Sequence, residues 1–381
     1  MNKGGSNTFN RLFRAATFVL AVTVFALPFC GQNIGSAQTV EETTAYNLYF
    51  GDLHSHTSYS DGEGTPDEAF EAAQAAGADF LALTDHGYLM RDWEWADSIL
   101  SADEHTSSEF VAMAGYEYFI PGINEINIYG TQNMPPGVDA GTGAFQKTGR
   151  MSDGTLVKMT YDWIAQEPGA IGQWNHPLAY GCPFCFDWYQ YAYLTEERDE
   201  GMGMVECYNS YDRSASYILA LDAGWHMMPT ATGDTHEADW ISGCEMRTVL
   251  LAPSLTRDDL YDAMRSGRGY ATLDSNLEIY FTLNGVVMGS VLSPDTSEFE
   301  AVIHIEDDDS VATDAITLVE IVSDGGVVVA TMEGDGTTVF DCSVTLDSET
   351  SSYYLLRVYT ESGDLGLPGI TAWTAPVWTG R

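Results

Sequence analysis

Five of the chain's eight histidines stand directly after short apolar runs, four of them with an Asp close by. His54 and His56 sit in Gly51-Asp52-Leu53-His54-Ser55-His56, and Asp61 follows in Tyr59-Ser60-Asp61-Gly62. His86 follows Thr84-Asp85, His176 follows Trp174-Asn175, and His236 closes Gly233-Asp234-Thr235-His236. Glu117 ends the run at Gly115-Tyr116. Residues two apart on an extended chain point to one side, so His54 and His56 form a compact pair of donors. A lone histidine is ordinarily structural, but five at strand ends, four of them beside carboxylates, predict a metal centre. Mixed imidazole and carboxylate donors suit Zn, Mn or Fe rather than calcium. His105, His226 and His304 lie in a surface stretch, ahead of a strand and within a strand, and are read as structural or surface residues.

The elements that must position these residues alternate strand and helix from about Leu48 to Leu273. Asn47–Leu53, Phe80–Thr84, Glu125–Tyr129, Ala170–Asn175, Met204–Tyr208, Met227–Thr232 and Thr248–Leu251 read as strands, with another inside Glu109–Tyr118. Thr65–Ala76, Tyr161–Gln166, Ala215–Gly224 and Leu255–Ser266 read as helices; Thr65 and Thr256 supply caps, and Pro66 a first-turn proline. Alternation of this kind predicts an α/β barrel or open sheet, and polar residues at strand C-termini are where such barrels build sites. Past Asp274 the texture becomes Val-, Ile- and Thr-rich strands separated by Gly/Asp turns, predicting an antiparallel β-sandwich of about 100 residues. Residues 269–356 hold 17 acids and no Lys or Arg. Asp307-Asp308-Asp309 reads as a solvated loop, with calcium as the alternative.

The 381 residues carry 15 Lys+Arg against 56 Asp+Glu, a formal net charge of −41. Such a surface repels phosphate backbones and anionic lipids, which excludes nucleic acid as a partner. With 45% hydrophobic and 12% aromatic residues the chain has material for packed cores, so disorder is excluded as well. Lys3, Arg11 and Arg14 precede an apolar run from Ala15 to Phe29, short of the ~20 residues of a membrane span. With Gly35-Ser36-Ala37 this predicts a signal peptide over 1–37, and hence a secreted or periplasmic protein. Stable membrane association would require lipidation at Cys30, ranked second. Cys182 and Cys185 read as a local disulfide or buried thiols, ahead of a zinc half-site.

Gly51–Gly62 (GDLHSHTSYSDG), Thr84–Gly87 (TDHG), Gly115–Glu117, Asn175–Pro177 (NHP), Val205–Asn209 (VECYN) and Gly233–His236 (GDTH) occur in this order. Together they resemble the PHP (polymerase and histidinol phosphatase) superfamily. Arg247-Thr248, Ser266–Thr272 and Ala372–Trp378 look like its CehA/McbA-type metallohydrolase branch. The resemblance implies a distorted (β/α)7 barrel over 38–274, followed here by the sandwich over 275–381, with two to three divalent ions at the strand ends. One ion would take His54, His56, Glu117 and Asp234. Glu117 would bridge to a second, which also takes His176. A third would take Asp61, His86 and His236. Asp85 is open between a ligand and a partner orienting a histidine. The family's usual histidine after the glutamate is replaced by Glu125, or less favourably Asn127, which puts full three-ion occupancy in question.

Such ions would lower the pKa of a bridging water to about 7 and polarise a scissile phosphoryl or carbonyl oxygen. The implied activity is hydrolysis of small phosphomono- or diesters, with a small-molecule ester as partner. Arg268, ahead of Arg247 or Arg213, is the candidate to neutralise a phosphate; its competing role is an ion pair at a domain junction. The aromatic stretch Tyr180–Tyr193 is a candidate wall or lid. Two other readings stand beside this one: a carboxyl or carbamate ester hydrolase, and a non-catalytic extracellular binding module.

Overall fold

The structure, a computed structural model, describes residues 46–120, 123–135, 153–177, 188–307, 314–346, 350–361 and 369–380. The leader at 1–37, Cys30, the Cys182/Cys185 pair and residues 180–187 of the aromatic stretch lie outside them.

The elements run β1 (Asn47–Asp52), α1 (Pro66–Ala75), β2 (Phe80–Leu83), α2 (Asp92–His105), β3 (Val111–Ile120), β4 (Asn124–Tyr129), α3 (Asp153–Gln166), β5 (Ile171–Trp174), α4 (Trp188–Tyr191) and α5 (Glu196–Gly201). They continue with β6 (Met202–Asn209), β7 (Tyr211–Asp212), α6 (Ser214–Asp222), β8 (Met228–Ala231), β9 (Arg247–Ala252), α7 (Arg257–Arg265) and β10 (Gly269–Thr272). The C-terminal part is all strand: β11 (Glu278–Leu283), β12 (Val286–Val287), β13 (Phe299–Glu306), β14 (Ile316–Ser323), β15 (Val327–Glu333), β16 (Val339–Leu346), β17 (Tyr353–Thr360), β18 (Ile370–Thr374) and β19 (Val377–Trp378).

Local chemistry explains the helix starts. Thr65 accepts from the Glu68 amide while the Glu68 carboxylate accepts from the Thr65 amide, a reciprocal cap ahead of Pro66. Thr256 caps α7 through the Asp259 amide. Helix α2 is one the sequence pattern conceals. It buries Trp95, Ser98, Ser101 and Ala102, a face of small and polar residues that leaves no apolar stripe.

The mixed α/β architecture is as expected, but strand directions differ from a uniform alternation. β1–β2, β2–β3, β5–β6 and β6–β8 pair in parallel. β4 runs antiparallel to both β3 and β5, and β9 runs antiparallel to β1 and β10. β8, which pairs with β6, is tied to β9 by a side chain. Thr248 Oγ1 accepts from the Ala231 amide at 3.2 Å and donates to the Ala231 carbonyl at 2.9 Å.

The C-terminal strands do not form a separate sheet pair. β10 pairs with β18, which carries the large sheet on into β17, β14 and β15. A four-stranded antiparallel sheet, β12-β11-β13-β16, packs against this arm, and Phe281 and Ile303 share one apolar cluster with Ile321 and Leu356. Asp307 is buried and grouped with Asp274 and Asp314, not on a solvated loop. Among the described residues no helix is long and apolar enough to cross a membrane.

Candidate metal centre

The parallel strands deliver their C-terminal residues to one mouth of the curved sheet. β4 runs the other way, so its beginning, with Glu125, arrives at the same mouth. The cleft there, about 400 Å³, is lined by His86, Glu117, Glu125 and His176 on one side. Asn209, Ser210, Tyr211, Arg213, Asp234 and His236 complete it.

His54 and His56 converge, as their spacing predicts: their Nε2 atoms are 3.2 Å apart. Asp234 Oδ1 is 3.3 Å from His54 Nε2 and 3.0 Å from His56 Nε2. Glu117 Oε1 lies 3.3 Å from His54 Nε2, and Glu117 Oε2 lies 3.6 Å from His56 Nε2. Donors about 2.1 Å from one first-row ion stand about 3.0–3.4 Å from each other in octahedral or tetrahedral geometry. These four side chains have close to that spacing. Two ring nitrogens at 3.2 Å repel unless a proton or cation lies between them, so the donor set fits a metal.

A second group shares Glu117. His176 Nε2 is 3.2 Å from Glu117 Oε1 and 3.3 Å from Glu125 Oε2. Glu125 therefore stands among the donors. Asn127 does not: its side chain donates to the Leu53 carbonyl and accepts from Asn175. The third group lies nearer the surface. Asp61 Oδ1 is 3.4 Å from His236 Nε2 and 3.6 Å from His86 Nε2. The other nitrogen of His86 faces inward, 2.8 Å from Glu117 Oε2.

Charge is concentrated here. Burial alone would lower the His54 pKa, but Asp234, Glu117 and Glu206 hold it well above 6.5. His176 is raised to about 10: burial opposes this, and Glu117 and Glu125 outweigh it. Glu117 responds in the opposite direction, held well below 4.5 by His54, His176 and His86 despite its burial. His176 and Asp234 have φ of 25° and 49°, left-handed backbone that costs these residues on the order of 1–3 kcal/mol each.

Two sequence expectations need correction. Arg268 is not at the cleft. It precedes β10, at the opposite end of the strands, where Nη2 pairs with Asp262 at 2.5 Å and the guanidinium covers the Tyr46 ring. The six-residue strand β1 puts about 20 Å between the two ends. Arg268 thus makes a local ion pair with α7, six residues away. Asp85 belongs to none of the three groups. Its oxygens accept from the Thr57 amide at 2.8 Å, Thr57 Oγ1 at 2.7 Å and Ser60 Oγ at 2.6 Å, which ties down the loop carrying Asp61. Gly62 is required in that loop, because a Cβ there would sit 2.8 Å from the His56 backbone. His105, His226 and His304 all lie outside the cleft, as expected.

Glu206 is the functional residue that strand and motif reading missed as such. It is fully buried, and Oε1 lies 2.7 Å from His54 Nδ1 and accepts from Thr232 Oγ1 at 2.7 Å. Oε2 accepts from the His176 amide and from Asn209 Nδ2 at 3.0 Å. A glutamate inside the otherwise apolar strand Met-Gly-Met-Val-Glu-Cys was the available signal. Asn175, likewise buried, donates to Glu117 Oε1 at 2.7 Å.

Residues 52–133 match the PHP domain. That segment runs from the last residue of β1 through β4 and carries His54, His56, Asp61, His86, Glu117 and Glu125. No curated protein matches the chain. Among solved structures, the chain is similar to a two-domain protein containing a predicted PHP-like metal-dependent phosphoesterase from Bacteroides vulgatus. The identity is 14% and the TM-score 0.45, over 87% of this chain and 96% of that one. It is also similar to an amidohydrolase from Chromobacterium violaceum with bound sulfate and no metal. There the identity is 15% and the TM-score 0.33, over 49% of this chain and 87% of that one.

Proposed function

We propose that this protein is an exported metal-dependent hydrolase of small phosphoesters, of the CehA/McbA-type branch of PHP proteins. The observation that carries the reading is the convergence of five imidazoles and four carboxylates on one cleft, at separations that suit shared cations. His54, His56, Glu117 and Asp234 would hold one ion. Glu117, Glu125 and His176 would hold a second, and Asp61, His86 and His236 a third. Bound there, divalent ions supply Lewis-acid polarisation of the scissile oxygen and acidify water for attack.

The chain's own residues do the positioning. Glu206 fixes the His54 ring with Nε2 toward the cleft, and Asn175 orients the Glu117 carboxylate. Asp85 holds the loop that presents Asp61. The Lys/Arg-rich leader and its small-residue cleavage signal support export.

The test is elemental analysis of purified protein followed by a chromogenic phosphoester panel with added Mn or Zn. Two to three transition metals per chain and metal-dependent turnover are expected. No turnover of any phosphoester by protein of confirmed metal content rejects the proposal, and turnover of aryl carbamates or carboxylesters alone reassigns the activity.

A further inference from the structure

Cations are scarce in this chain, and seven of the nine on described residues are committed; Lys158 lies over the Tyr193 ring. Arg91, Arg198, Arg257, Arg268 and Arg357 each pair with a carboxylate. Arg247 and Arg265 donate to backbone carbonyls. Arg213 is different. Among the described residues its guanidinium has no carboxylate within ion-pair distance, and its buried Nε has no hydrogen-bond partner. Yet it lines the cleft with Glu117 and Asp234.

Its placement is fixed. The Arg213 amide donates to the Cys207 carbonyl at 2.7 Å, and its carbonyl accepts from Ser216 and Tyr217 in the first turn of α6. The guanidinium rests 5.5 Å from the Tyr211 ring centre. The neighbouring Asp212 turns its carboxylate to the Ser214 amide instead. Arg213 is half-buried, with its Nε enclosed and unpaired, so the guanidinium is held at the cleft and free to meet an anion.

We infer that Arg213 is the anion-recognition residue of the cleft and that it selects phosphomonoesters over diesters and neutral esters. This rests on the hydrolase reading above. A monoester phosphoryl group has three terminal oxygens, and a diester has two. With two phosphoryl oxygens taken by two of the histidine–carboxylate groups, only the monoester keeps a third free for the guanidinium. A neutral carbonyl ester has no anion to offer, and the planar fork of arginine is matched to phosphoryl oxygens.

The experiment uses the metal-loaded full chain, with 4-nitrophenyl phosphate, bis(4-nitrophenyl) phosphate and inorganic phosphate as probes. Arg213→Gln should raise KM for the monoester and the inhibition constant of phosphate by about 10-fold or more. The monoester-to-diester ratio of kcat/KM should fall by a similar factor, with metal content and Tm as in the wild type. Arg213→Lys keeps the charge and should recover part of the loss. A phosphate constant and ester ratio within twofold of wild type in Arg213→Gln overturns the inference. Phosphate binding is also read by calorimetry, which needs no turnover. An inactive protein that loses phosphate affinity in Arg213→Gln therefore rejects the hydrolase reading and keeps Arg213. A wild type that binds no phosphate rejects Arg213.

Discussion

His54 Nδ1 lies 2.7 Å from Glu206 Oε1, and both side chains are fully enclosed. The Glu206 carboxylate accepts from Gln173, Thr232, Asn209 and the His176 amide as well, so it serves as acceptor to the imidazole N–H. That fixes the tautomer and aims Nε2 at His56, Glu117 and Asp234. It also links the His54 group to the His176 backbone through one buried charge.

Glu206→Gln should therefore lower metal affinity by about 10–100-fold while retaining the fold. Glu206→Ala should also destabilise the protein by about 3 kcal/mol or more, because several buried donors lose their acceptor. Metal titration and chemical denaturation separate the two effects. Wild-type affinity in Glu206→Gln would show that the ring is oriented by packing alone.

Glu125 is the carboxylate where related sequences are expected to carry histidine, and it stands 3.3 Å from His176 Nε2. Glu125→Ala should lower the bound metal by about one ion per chain. Glu125→His should restore the stoichiometry and shift preference from Mn toward Zn, the softer ion. Elemental analysis after equilibrium with both metals reads this directly. Unchanged stoichiometry in Glu125→Ala would exclude it as a ligand.

Much of this site was legible because its signals are local. His54 and His56 share a side through strand alternation, and Asp234 and His236 flank a strand end. Glu206 was harder to read, because the partners that explain it come from β5 and from the segments after β1, β5 and β8. Arg268 misled for the same reason: nothing in Ser-Gly-Arg-Gly says which end of the strands it occupies. Strand order decides that, and strand order follows from β9 running antiparallel to β1. The strands of the C-terminal region were readable from alternation, but β18 joining them to β10 is a long-range pairing with no local trace.

Asp85 gives a further prediction. Its three acceptor contacts hold Thr57 and Ser60, and Ser60 Oγ also lies 3.5 Å from His56 Nδ1. Asp85→Ala should cost about 1–3 kcal/mol and loosen the loop presenting Asp61. The outermost metal should be lost first, while the His54 group keeps its ion. Metal retention identical to wild type at every step of a chelator titration would contradict this role.

The last prediction concerns pH. In the metal-free protein His176 titrates near 10 against an ordinary 6.5, because Glu117 and Glu125 outweigh its burial. His54 and His86 shift in the same direction. A raised histidine pKa means the protonated form stabilises the fold. That contribution is complete below pH 6.5 and is lost as pH rises toward 10. Asp52 acts below that window: burial raises its pKa from 3.8 to about 6, so stability falls as pH rises over that interval and the cost of its buried charge is constant above it. The chelated protein should thus lose thermal stability steadily between pH 6.5 and 10. Metal ions compete with those protons for the same nitrogens, so metal binding should strengthen over this range and release protons. The gap in Tm between metal-loaded and chelated protein should therefore widen with pH. Differential scanning calorimetry at pH 6, 8 and 9.5 measures it, and a gap that narrows as pH rises would mean that the histidines are not the metal's donors.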